Sequence, residues 1–130
     1  MRFHDFHLAG YTVSDFGGTI VLELVYDFPE QPREMSRIKF SDVAAYHFVH
    51  TGGAIIVDIA EVPLAELLQR VGDQLAELWR QHGGFPHWSD DRTEYLVTLE
   101  KHGYHAWAIE SAVGFEGFVI AKSVGEAPKT

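Results

Sequence analysis

The sequence predicts an α+β domain: a mostly antiparallel, curved sheet of about seven strands, ordered ββββ-α-βββ, with one amphipathic helix packed on one face. Three observations carry this. Several short segments alternate apolar and polar residues, the period of a half-buried strand. One long segment, Pro63–His82, instead repeats apolar residues every three to four positions. Gly- and Pro-containing clusters separate these segments.

Phe3–Val13 reads as the first strand, and Ser14-Asp15-Phe16-Gly17-Gly18 as the turn that follows it. Thr19–Phe28 has the clearest alternation, with Ile20, Leu22, Leu24, Tyr26 and Phe28 on one face and Glu23 and Asp27 on the other. Pro29-Glu30-Gln31-Pro32 breaks the chain. A third strand runs from Arg37 to His50, and Ser41-Asp42 within it signals a bulge or bend. Thr51-Gly52-Gly53 reads as a tight turn into a fourth strand, Ala54–Ala60, so these four elements form two hairpins.

In the helix, Leu64, Leu67, Leu68, Val71, Leu75, Leu78, Trp79 and His82 form a stripe about 120° wide. Pro63 suits the first turn, where its missing N–H is no loss, and Gly83-Gly84 supplies the stop. Phe85–Arg92 is a loop. Glu94–Lys101 reads as a strand with Tyr95, Val97 and Leu99 on one face. His102-Gly103 turns into Tyr104–Val113, and Gly114-Phe115-Glu116-Gly117 turns into Phe118–Ser123. Residues 1–124 make a single domain, and residues 125–130 form a flexible tail.

The chain of 130 residues carries 10 Lys and Arg against 19 Asp and Glu, a net charge of −9. No basic stripe exists to neutralise phosphates, so nucleic acid is not an expected partner. An acidic surface suits a basic protein partner instead. The chain has no cysteine, which excludes disulfides and thiolate chemistry. Met1-Arg2-Phe3-His4-Asp5 lacks an apolar signal region and no apolar run is long enough to span a bilayer. The expected location is therefore cytoplasmic, without membrane contact.

Six of the eight histidines fall in His-x-x-His pairs: His4/His7, His47/His50 and His102/His105. In a strand, residues three apart point to opposite faces, so the first two pairs cannot chelate one ion. His102/His105 straddles a turn and could share a side. Zinc sites want three or four convergent ligands, so no metal or other cofactor is expected. The segment Phe85-Pro86-His87-Trp88-Ser89-Asp90-Asp91-Arg92 concentrates aromatic rings, an imidazole and carboxylates between helix and sheet. Phe85, His87, Trp88, Asp90 and Asp91 are the expected contact surface, because loops carry function and Trp anchors interfaces. The competing structural role is that Phe85 and Trp88 close the end of the core. Gly114-Phe115-Glu116-Gly117 is no phosphate loop, since no helix or lysine follows it in the required place. No nucleophile elbow or dinucleotide fingerprint occurs, so no catalytic residue is assigned.

Phe3-His4-Asp5 with the following hairpin, and Ala108-Ile109-Glu110-Ser111 through Lys122, resemble small bacterial domains that include immunity proteins of polymorphic toxin systems. The resemblance implies a non-catalytic, cytoplasmic protein that binds and neutralises a cognate toxin. The leading expectation is accordingly a binding or interaction protein. The alternative is a small-molecule-binding or metal-assisted enzyme, with His4, His102 and His105 converging between helix and sheet. Homo-oligomerisation through exposed sheet edges is the third.

Overall fold

The computed structural model describes residues 5–30, 32–82 and 92–127. It is an α+β fold with an antiparallel sheet and two helices. The strands are β1 (His7–Ser14), β2 (Thr19–Tyr26), β3 (Glu34–Val62) and β4 (His105–Ala127); the helices are α1 (Leu64–His82) and α2 (Arg92–Lys101). The sheet order is β1-β2-β3-β4, and β1 also pairs with β3. β3 and β4 are long and bent, so each supplies two arms and the sheet has six strands in that sense.

The bend explains where the expected hairpins went. Residues 34–50 and 55–62 do not pair with each other; both pair with β4, from Arg37↔Ala127 through His50↔Phe115 to Val62↔Ala106. The register slips between His50 and Ile55, opposite Gly114, which sits at φ 81°. The glycines of residues 51–53 and of residues 114–117 therefore mark one corner of a two-stranded ribbon, where two separate turns were expected. Ser111 grips that corner, because its hydroxyl accepts the Phe115 N–H at 3.1 Å and donates to the Phe115 carbonyl. The bulge expected at Ser41-Asp42 is present: Asp42 has φ 54° and the register shifts between Val43 and Ala45. Residues 125–127, expected in the tail, belong to β4, where Gly125 pairs with Lys39.

Curling brings β1 against β3 at His7↔Ile55 and Leu8↔Ala54. The inner face buries Leu8, Ile20, Leu22, Leu24, Ile38, Phe40, Ile59, Trp107, Ile109, Phe115 and Val119. A second cluster lies on the outer face, where Leu64, Leu67 and Leu68 of α1 and Tyr95 and Leu99 of α2 cover Ala45, Ala106, Phe118 and Ile120. At roughly 25 cal/mol per Å² of apolar surface, two such clusters are ample drive for folding.

The expectation of a strand at Glu94–Lys101 is corrected: these residues form most of α2. Tyr95 and Leu99 are buried, as alternation requires, but Val97 between them is 57% exposed. Spacing of four puts Tyr95 and Leu99 on one helical face and turns Val97 away. The His102-Gly103 turn is the end of this helix. Tyr104 N–H donates to Leu99 O at 3.0 Å and Gly103 N–H to Glu100 O at 3.2 Å, with Gly103 at φ 80°. These two bonds and the left-handed glycine are a Schellman stop, with Tyr104 and Leu99 in one apolar cluster. No helix among the described residues is long and apolar enough to cross a membrane.

Candidate functional site

The loop expected to make contacts, with Phe85, His87, Trp88, Asp90 and Asp91, lies outside the described residues. It links the end of α1 to the start of α2. His4 also lies outside them.

The remaining histidines are spread over the fold. His47 stacks on Phe118 of the outer cluster at 6.4 Å, whereas His50 meets Tyr11 and Phe115 at 6.0 and 5.4 Å on the inner face. A separation of three in a strand divides them as the geometry requires. His7 lies beside Phe28 at 5.7 Å. His102 follows the last turn of α2 and His105 opens β4, so the pair does not face across a hairpin ladder as expected. Among the described residues, no group of three or more His, Cys, Asp or Glu is placed to hold a metal ion.

Two arrangements remain. The first is an aromatic mouth. β1 leaves β3 after Leu8, and the inner face opens there. Tyr11 packs edge-on against Phe48 at 5.2 Å and against Phe115 at 6.0 Å. Phe48 also meets Tyr46 at 5.4 Å and Phe115 at 5.2 Å. Phe115 is buried, while Tyr11 and Tyr46 are 37% and 38% exposed. The buried Phe115 and the partly buried Phe48 thus support two partly exposed tyrosines, a residue type that suits protein contacts. Val13 of β1 extends this exposed surface toward the β1–β2 turn, where Phe16 stands in open solvent.

The second is an open groove of about 570 Å³ where α1 begins and α2 ends. Glu61, Leu64, Glu100, Tyr104 and His105 line it. His105 Nδ1 lies 3.1 Å from Glu61 Oε2, and both side chains are about half exposed. In the neutral tautomer that donates Nδ1–H to the Glu61 carboxylate, the lone pair lies on Nε2. Under the helices, burial and then the nearby Tyr104 push the Tyr95 phenol up to about 12.

No protein-family model, curated protein or solved structure matches this chain. The mouth was missed in the sequence because its members come from β1, β3 and β4, and only the closure of the sheet brings them together. Asp15-Phe16-Gly17-Gly18 was visible as a turn, but an apolar side chain inside such a turn was itself a signal.

Proposed function

We propose that the protein is a non-catalytic binding protein of the cytoplasm that docks on another protein through the aromatic mouth. The observation that carries this is the exposure of Tyr11 and Tyr46 above the buried Phe115. Rings fixed by packing lose little freedom on binding, so their contact area translates efficiently into affinity. The charge of −9 favours a basic partner and makes the association weaken as salt rises. A toxin neutralised by occlusion is the form of this reading that the hairpin resemblance favours, and the Phe85–Asp91 loop would extend the contact.

Affinity capture from the source organism's lysate tests it. The wild type should retain a basic protein at low salt and release it as salt rises. Tyr11→Ser combined with Tyr46→Ser should retain none while still folding. Failure of the wild type to retain anything at low salt would overturn the reading.

The groove favours a second reading, a small-molecule-binding or metal-assisted enzyme. Its support is the His105–Glu61 pair at the junction of both helices and the sheet. Thermal shifts with zinc, nickel or manganese that vanish in His105→Ala would establish it; shifts equal in the two proteins, or none, would dispose of its metal form.

A further inference from the structure

We infer that Phe16, at the tip of the β1–β2 hairpin, is the anchor by which the protein enters an apolar pocket with a basic rim on its protein partner. The inference rests on the binding reading above and names the residue and the partner chemistry that the reading leaves open.

An exposed phenylalanine alone needs no explanation, since much of any protein surface is apolar. The backbone beneath Phe16 does. In the turn Asp15–Gly18, closed by the Gly18 N–H on the Asp15 carbonyl at 3.0 Å, the central residues Phe16 and Gly17 have φ 57° and 91°. Positive φ at both central positions is the type I′ pattern, which favours Asn, Asp or Gly at the first of them. A bulky side chain there strains the chain. Burial does not compensate, because Phe16 is 100% exposed. Neither local conformation nor the core therefore accounts for a phenylalanine at this position. Residues held in strained backbone cluster at ligand-contacting sites, where the strain serves preorganisation.

The turn is held firmly enough to present the ring. Thr19 Oγ1 donates to Asp15 Oδ2 at 2.8 Å, and Val43 N–H donates to the Gly18 carbonyl at 3.0 Å. The second bond ties the tip to the β3 bulge at Asp42. Asp15 opens the turn and Asp42 directly precedes Val43, which holds Gly18, so two exposed carboxylates lie close to the turn in the chain. A pocket that accepted the ring would face these carboxylates at its rim, so cationic side chains there complement them. The same charges, with −9 on the whole chain, oppose insertion into an anionic bilayer or docking onto a second acidic copy.

Photo-crosslinking tests the inference on the whole chain. A benzoylphenylalanine replaces Phe16 in one variant and the exposed Val97 of α2 in another. Both are irradiated in the source organism's lysate. Position 16 should crosslink to one basic protein that position 97 does not reach. Untagged wild type should compete for that product, and Phe16→Asn should compete roughly thirtyfold less well, the scale of a hot-spot aromatic. Phe16→Asn should also unfold at higher temperature, which separates lost contact from lost fold. Crosslinks to a second copy, to lipid, or to the same set of proteins from both positions would overturn the inference. Capture that depends on Tyr11 and Tyr46 but is unchanged in Phe16→Asn would overturn the anchor and leave the binding reading standing. Absence of any captured protein would overturn both.

Discussion

β4 and β1 belong to one sheet and live in opposite environments. β4 is buried on both faces over Ala106–Ile109 and Phe118–Ala121: Trp107, Ile109 and Val119 point into the curled interior, while Ala106, Phe118 and Ile120 point toward the helices. Its sequence accordingly reads as near-continuous apolar runs, Ala106–Ile109 and Phe118–Ala121. β1 is buried at Leu8 and then emerges, with Tyr11 and Val13 each 37% exposed. β1 also carries no Asp, Glu, Lys or Arg, unlike the other three strands. An apolar residue in β4 is therefore explained by the fold, whereas an apolar residue beyond Leu8 in β1 contributes little to it. The difference separates stability from recognition along a single sheet.

The largest expected effect lies in β4. Ile109→Ala and Ile120→Ala remove side chains that are 1% and 0% exposed, from different clusters. Each should cost about 2–5 kcal/mol in urea unfolding, and the double variant should be near the sum because the clusters are separate. Val13→Ala on β1 should change stability by no more than ~0.5 kcal/mol. A costly Val13→Ala would erase the contrast between the strands.

The outer cover of β4 should also yield to alkali. The folded Tyr95 phenol titrates at about 12 against 10.0 for a free one, through burial first and Tyr104 second. A raised folded value means stability is fully present below pH 10 and is lost as the pH rises through 12. The loss should be on the order of 2–3 kcal/mol in denaturation measured along that range, and Tyr95→Phe should flatten it. An unchanged slope in Tyr95→Phe would place the titrating group elsewhere.

Next in size is Gly117 of β4. A Cβ there would overlap the Phe48 ring and come within 2.7 Å of the His47 carbonyl oxygen. Gly117→Ala should cost about 1–3 kcal/mol. It should also move Phe48 and so disturb the aromatic mouth, visible as shifted Tyr11 and Tyr46 ring resonances. One effect, smaller than these three, has the opposite sign. Phe16→Asn relieves a left-handed phenylalanine and should raise stability by about 1 kcal/mol. A loss would mean that the ring supports the fold and that the turn belongs with β4 in kind.

Much of this was legible in the residues and some was not. The α1 stripe was clear because Leu64, Leu67, Leu68 and Val71 agree with a helical period and with no other. The Glu94–Lys101 segment was misread because periods of two and of four both select Tyr95 and Leu99. Val97, exposed where a strand would bury it, and Leu96, packed on the cluster of Tyr95 and Leu99 where a strand would turn it away, distinguish them, and both are tertiary facts. Glycine at 103 was read as a hairpin turn, although a left-handed helix stop uses the same residue. For the candidate site, the His47/His50 pair was rightly divided between faces, but Tyr11, Tyr46 and Phe115 lie too far apart in sequence to be grouped.

The residues by themselves determined the class of fold, the long helix, the β2 face and the bulge at Asp42, because each depends on periodicity or backbone preference within a few positions. Tertiary structure decided that the glycines at 51–53 and 114–117 make one shared corner, that β1 meets β3, and that an aromatic rim opens where they part. Strand pairing sets those outcomes, and a sheet's register depends on partners tens of residues away.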